Sequence, residues 1–284
     1  MPLHLLVVSS ETPDQQARRR ALSGTASHET FAETLRKLDG TCIVAQANCI
    51  DGTRPAEGFA AYDGVLFAGS PIQMHGGGPE QRAAAAFAEA VFEAGTPSFG
   101  SCAGLQIAAT AAGGTTKPRD THMEAGFARG ITRTPAGHGH PLLRGRPSVW
   151  DAPAMHSDVV DRLPPGGTSL AATPNTSVQV AEIRHRQGVF WGVQYHPEIS
   201  IGEIADALRR EAPSFVADEL ARNEGEVEAQ AAILQRLDAH PDRDDLARQM
   251  GIGLDVIDPT RRTTELQNFL DHLRVQAVTR SGAA

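Results

Sequence analysis

Two clusters of residues in this chain have types and spacing suited to covalent chemistry. The first is Pro97-Ser98-Phe99-Gly100-Ser101-Cys102-Ala103-Gly104. A short apolar run that reads as a strand ends in Gly-x-Cys-x-Gly, and an alanine-rich helical stretch begins. This is the thiol counterpart of the Gly-x-Ser-x-Gly nucleophile elbow. A nucleophile held on so sharp a turn takes strained dihedrals, and side chains two positions to either side would collide. Gly100 and Gly104 leave the room. The turn also sets the sulfur at a helix N-terminus, where the dipole and the free N–H groups favour a thiolate. The plainer alternative is a buried structural cysteine beside a helix-packing glycine.

The second cluster is Gly192-Val193-Gln194-Tyr195-His196-Pro197-Glu198. A cysteine nucleophile needs a base, and the base needs a group that orients it. His196 and Glu198 lie two residues apart, so extended backbone puts both side chains on one face. Pro197 between them forbids a helix. The two clusters together describe Cys102 as nucleophile, His196 as base and Glu198 as the orienting carboxylate.

The elements that must position these groups can be read from apolar patterning. Residues 3–9, 41–47, 62–68 and 97–100 read as buried strands. Helices alternate with them. Ser27 is placed to cap one with the stripe Phe31, Leu35 and Leu38, stopped by Gly40. Pro79 opens another that runs to Gly95, and the alanine-rich helix after Cys102 ends at Gly113-Gly114. Such alternation predicts an α/β fold with a doubly wound, mainly parallel sheet. Residues 118–195 change character. Strands are expected at 128–134, 169–172, 177–183 and 189–193, as a mixed or antiparallel extension of the same sheet. Beyond residue 200 the chain turns helical, and Leu266, Phe269, Leu270 and Leu273 follow the i, i+3, i+4, i+7 rule. The expected organisation is a catalytic domain over 1–200 and a helical extension over 201–284. The last helix, about 264–275, should pack back on the catalytic domain, and residues 210–259 are the most separable piece. The run Arg18-Arg19-Arg20 reads as a solvated face or loop.

Composition narrows the class. The 284 residues are 40% hydrophobic and 21% charged, ordinary globular usage with ample length for a core. A net charge of −8 gives no overall pull toward nucleic acid or an anionic membrane. No apolar run approaches a spanning helix, and no signal-peptide pattern opens the chain, so a cytoplasmic protein is expected. Three cysteines without a Cys-x-x-Cys pair exclude a disulfide scaffold. Cys42, Cys49, Trp150 and Trp191 read as packing residues. His138-Gly139-His140 lacks the converging ligands of a metal site. No metal or cofactor is expected.

The elbow and the His-Pro-Glu segment together resemble the class I, triad-type glutamine amidotransferases, over roughly residues 1–200 and the last helix. Further segments carry the likeness. Gln106 matches a glutamine that contacts the substrate in that family. Residues 62–71, Tyr-Asp-Gly-Val-Leu-Phe-Ala-Gly-Ser-Pro, resemble the strand and turn that supply one oxyanion-hole amide. Met155-His156-Ser157-Asp158 resembles the segment that holds the substrate's α-amino and carboxylate groups, and Glu124-x-Gly126 a turn that leads into the later strands. The resemblance implies oxyanion donors at the amides of Ser70 and Ala103, and substrate contacts from Gly69, Gln106, His156, Ser157 and Asp158. Two positions depart from the family pattern. Ser70 stands where many members have a second glycine, and Ala103 replaces a larger residue, which widens the pocket. The stretch Gln73-Met74-His75-Gly76-Gly77-Gly78 beside the site is either a mobile lid or a plain surface loop.

What the resemblance implies is glutamine hydrolysis through a γ-glutamyl thioester, with ammonia passed to a separate ATP-dependent synthetase. The chain carries no Ser-Gly-Gly-x-Asp signature of its own. A stand-alone γ-glutamyl peptidase or hydrolase is the second expectation, because the same acyl-enzyme serves it. A non-catalytic binding or regulatory protein on the same fold is the third.

Overall fold

The apolar run near the N-terminus becomes an interior strand of a nine-stranded sheet. The computed structural model describes residues 2–282. Strand β1 (His4–Ser9) pairs in parallel with β2 (Ile43–Asn48) on one side and β3 (Gly64–Phe67) on the other. Parallel pairing continues through β4 (Ser98–Ser101) to β11 (Gly188–Val193). Beyond β11 the sheet turns antiparallel. The full order is β2-β1-β3-β4-β11-β10-β9-β6-β7, with β6 (Glu124–Arg133), β7 (Val149–His156), β9 (Gly167–Thr173) and β10 (Thr176–His185). Two short strands, β5 (Thr115–Pro118) and β8 (Asp158–Arg162), pair separately. This is the expected α/β sheet with helices on both faces. Strands β5, β7 and β8 had not been anticipated.

Helices cover both faces of the sheet, and its inner parallel strands β1, β3, β4 and β11 are buried on both sides, while the edge strand β2 is not. Helices α3 (Pro79–Ala94) and α4 (Ala103–Ala111) pack on one face, where Phe67, Phe87, Phe92 and Phe190 fill the layer. Helix α2 (Ser27–Leu38) and the last helix, α10 (Thr264–Gly282), cover the other. Leu266, Phe269, Leu270 and Leu273 are buried in the same cluster as Leu5, Val7 and Trp191. The approach is close: a Cβ built on Gly64 would lie 2.7 Å from Leu273 Cδ1.

The first helix, α1 (Pro13–Ser23), had not been expected, and the arginine run lies on it rather than in a loop. Thr12 caps it, and Thr12 and Gln15 form a reciprocal capping box. No α1 side chain is buried. The capping expectation for Ser27 is corrected. Ala26 is the N-cap of α2, and the Ser27 hydroxyl donates to the carbonyl of Gly69 instead.

Helices α5 (Ile201–Ala217), α6 (Glu224–Ala239), α7 (Asp244–Met250) and α8 (Leu254–Ile257) share a core of their own, and the short α9 (Pro259–Arg262) follows them. Phe127 of β6 joins that core, and half-buried Met123 and Met155 pack against it. Residues 210–259 therefore do not stand apart as a unit, since α5 runs across position 210. None of the described helices is long and apolar enough to cross a membrane.

Candidate active site

The carboxyl ends of three neighbouring parallel strands bring the chemistry together, as expected for an open α/β sheet. Strand β4 runs into Cys102, β3 into Gly69 and Ser70, and β11 into His196. Cys102 has φ 51° and ψ −107°, the strained conformation of an elbow nucleophile. The strain is fixed from both sides. The Cys102 amide donates to the carbonyl of Val193 at 2.8 Å, and α4 starts at the next residue. Both flanking glycines are sterically required. A Cβ on Gly100 would lie 2.9 Å from the Gly104 backbone, and one on Gly104 would lie 2.6 Å from the Phe67 carbonyl oxygen.

His196 is buried, and its Nδ1 meets Glu198 Oε1 at 2.8 Å. Glu198 Oε1 also accepts the Ser101 hydroxyl at 2.9 Å, and Thr34 donates to the Glu198 carbonyl. Burial disfavours the charged ring, but the Glu198 carboxylate and then Cys102 outweigh it, so the His196 pKa is raised to about 10. The sulfur's own long hydrogen bond goes to the Met155 carbonyl, 3.8 Å away.

Gly69 seats the ring. A Cβ there would lie 2.4 Å from His196 Cε1 and 3.2 Å from Nδ1. Gly69→Ala is therefore expected to push the imidazole off Glu198 and lower kcat about 100-fold, because small misplacements at a reacting centre cost that much. Circular dichroism should show the fold retained, with the melting temperature lowered by the buried clash. A variant that keeps wild-type kcat would show that the ring has room to spare.

Behind Gly69 lies a network with no local sequence signature. Ser27 holds the Gly69 carbonyl, and Glu11 Oε2 accepts the Ser27 amide at 3.0 Å. In a trans peptide the C=O and the next N–H point opposite ways. Fixing the Gly69 carbonyl thus fixes the direction of the Ser70 amide. The Ser70 hydroxyl is held as well, by Ser10 at 2.6 Å and the Ile72 amide at 3.2 Å.

Gly69, Ser70, Cys102, Gln106, His156, Ser157, Asp158 and His196 all line one cavity of about 240 Å³. Glu198 sits behind His196, and Ala103 is buried under the elbow as the first residue of α4. The wider family segment is more constrained than its sequence implied. His156 has both ring nitrogens engaged, with Glu124 Oε2 at 2.8 Å and the Asp158 carbonyl at 2.9 Å. Gln106 Nε2 donates to the Asp158 carbonyl at 3.0 Å and to Gln194 at 3.3 Å. The 73–78 stretch is tied down: His75 Nδ1 meets Asp158 Oδ2 at 2.5 Å, and Met74 is buried. His140, by contrast, lies away from the site, where it bonds the Leu142 amide and Glu182.

The family model for class-I glutamine amidotransferases matches residues 24–212. The chain belongs to the class-I glutamine amidotransferase family. A gamma-glutamyl-L-1-hydroxyisopropylamide hydrolase from a Pseudomonas species is 34% identical over 284 residues, spanning 98% of this chain and 95% of that protein. A glutamine-hydrolysing GMP synthase subunit from Methanoculleus marisnigri is 32% identical over 168 residues, 59% of this chain and 80% of that one. The fold of a glutamine amidotransferase from Thermotoga maritima superposes with a TM-score of 0.64 at 14% identity, covering 96% of this chain and 98% of that one. In this amidotransferase-family chain, sequence reasoning missed Glu11, and it missed the roles of the side chains of Ser27, Ser101, Glu124 and Gln194. All are buried or half-buried polar groups around the site, and each acts through a partner distant in sequence.

Proposed function

We propose that this chain hydrolyses the γ-amide of glutamine or of a small γ-glutamyl N-alkylamide through Cys102, His196 and Glu198. The observation that carries the reading is the strained Cys102 elbow beside a glutamate-anchored histidine in one small cavity. A cavity of about 240 Å³ falls below the roughly 300–1,000 Å³ of drug-sized sites, which suits a small amide rather than a polypeptide.

In this mechanism the thiol proton rests on His196, whose raised pKa holds it there, and the Cys102 sulfur attacks the γ-carbon. The oxyanion forms opposite the amides of Ser70 and Ala103, the donors proposed for its stabilisation. His196 returns the proton to the leaving nitrogen, the C–N bond breaks, and a γ-glutamyl thioester remains. Water then attacks the thioester with His196 as base, releasing glutamate and the Cys102 thiol. Gln106, Ser157 and Asp158 are the proposed walls for the glutamyl head. The His156 ring acts at one remove, by holding Glu124 and the Asp158 carbonyl.

The full-length likeness to the Pseudomonas hydrolase favours an amine as leaving group and water as acceptor. A second reading, ammonia delivery to a separate synthetase, is favoured by the likeness to the GMP synthase subunit. The test is release of glutamate and amine from glutamine and from γ-glutamyl-isopropylamide by the chain alone. Stoichiometric, acceptor-independent turnover of the alkylamide is the expected result. Turnover of glutamine that rises only with a synthetase present would favour the second reading. No turnover, with Cys102 also resisting a glutamine-analogue electrophile, would sink both.

A further inference from the structure

We infer that the mouth of the cavity between α1 and α5 is the subsite for the amine portion of the substrate, and that Arg19 there binds an oxygen acceptor on that amine. The inference rests on the amide-hydrolase reading above.

The acid that protonates the leaving nitrogen is His196, so the nitrogen lies against that ring. Any substituent on it extends along the same wall. The wall is the chain that follows His196: Ile199, then Ala207 and Arg210 of α5. Arg19 joins them from α1. Gln106, Ser157 and Asp158 are the walls proposed above for the glutamyl head. Arg19 and Arg210 also act together on the buried Glu11 carboxylate, so two guanidinium groups converge here from two helices.

The charged groups of the mouth are not equally occupied. Glu203 uses both oxygens, accepting from the Thr30 hydroxyl at 2.9 Å and the Ser200 amide at 2.8 Å. Arg210 Nε donates to Glu211 at 3.1 Å. Arg19 differs. Its nearest carboxylate oxygen, on Glu11, is 3.9 Å away, beyond hydrogen-bond reach. Its Nε is buried, so the 19% exposure of the side chain that lines the cavity belongs to the rest of the group, and no described residue hydrogen-bonds its terminal nitrogens. A guanidinium has five donors and no acceptor. The terminal N–H groups are therefore the ones a ligand oxygen would engage. Ile199 and Ala207 offer apolar surface for the short carbon chain between nitrogen and oxygen.

The substrate class is thus a γ-glutamyl amide of a small amine that carries a hydroxyl or a carboxylate. Glutamine, with only hydrogens on its amide nitrogen, leaves this subsite unfilled.

The test compares kcat/KM for γ-glutamyl-propylamide, γ-glutamyl-2-hydroxyethylamide and γ-glutamyl-glycine, in the wild type, Arg19→Met and Arg18→Met. Arg18 lies next to Arg19 but is exposed. The wild type is expected to prefer an oxygenated amide over the propylamide by on the order of 10- to 100-fold, the range for a hydrogen bond to a charged group. Arg19→Met should collapse that ratio toward one, and Arg18→Met should keep it. Whichever oxygenated amide loses more identifies the hydroxyl or the carboxylate as the group that Arg19 binds. A wild type with no such preference, or a ratio that Arg19→Met leaves intact, overturns the inference. If the wild type turns over none of these amides, nor glutamine, the hydrolase reading beneath it has failed instead.

Discussion

Cys102→Ala is expected to lower γ-glutamyl amide hydrolysis on the order of 10⁶-fold, and His196→Ala by a similar factor. The two losses should not add. The sulfur is nucleophilic only while His196 holds its proton, so either deletion removes the same unit of chemistry. The double variant should be no slower than Cys102→Ala alone. Glu198→Gln should cost less, about 10⁴-fold, because it misdirects the ring without deleting it. Ser101 bonds the same carboxylate oxygen as His196, so it holds residue 198 in place while the charge is lost. Steady-state glutamate release checks all four variants. Additive losses for Cys102 and His196 would mean that they do not act on one proton.

The same coupling has a pH signature. The His196 pKa is raised to about 10, against 6.5 for a free histidine: burial lowers it, and Glu198 and then Cys102 raise it by more. A histidine raised by folding stabilises the native state fully below about pH 6.5, and that contribution is lost as pH climbs through the folded value. Cys102→Ala removes one of the raising groups. Its His196 should titrate at lower pH in an NMR titration of the ring.

The largest expected stability loss lies on the far side of the sheet. Arg146 and Glu265 form a two-pronged ion pair, Nε to Oε1 at 2.7 Å and Nη2 to Oε2 at 2.6 Å, with both side chains almost wholly buried. Tyr195 donates to Glu265 Oε1 at 2.7 Å, and Arg146 also donates to the Arg262 carbonyl at 3.0 Å. The cluster joins α10 to the strand end that carries His196. Glu265→Ala strands a buried guanidinium and is expected to cost about 3–5 kcal/mol. Against a typical total of about 5–15 kcal/mol, that is a large share. The melting temperature should fall by roughly 10 °C, at some 2–4 °C per kcal/mol for a domain of this size. Adding Arg146→Met should restore part of the loss, since it removes the stranded charge. Thermal melts of the two single variants and the double variant measure this. A double variant less stable than either single one would argue that geometry, rather than uncompensated charge, sets the cost.

The residues proposed to react were legible because such chemistry imposes local sequence rules. The elbow needs small residues at 100 and 104, and the contacts at Gly100 and Gly104 show the steric reason. The last helix was legible from its 3.6-residue apolar period. What escaped notice was held by other forces. Helix α1 buries no side chain, so it has no apolar stripe, although Thr12-Pro13 with Gln15 was an available start signal. Strand β7 reads Val-Trp-Asp-Ala-Pro-Ala-Met-His, with a proline inside and no clean alternation. Ser27 had the right type and place for a helix cap, but its partner is 42 residues away. Long-range polar pairing leaves no periodic trace.

The bareness of α1 bears on traffic through the site. Its anchors are a capping box, the bonds of Gln16 to Ser9 and the Glu11 carbonyl, the largely exposed Arg20–Glu29 pair and the distant Arg19–Glu11 pair. An exposed pair such as Arg20–Glu29 contributes little. The strand ends that hold Cys102, Gly69 and His196 open only when the whole sheet does, whereas α1 can detach for far less free energy. The cavity thus joins a permanent floor at the strand ends to a rim, at Arg19 of α1, that is held more lightly. Substrate admission and amine departure can proceed on the α1 side on a faster clock than any rearrangement of the catalytic groups.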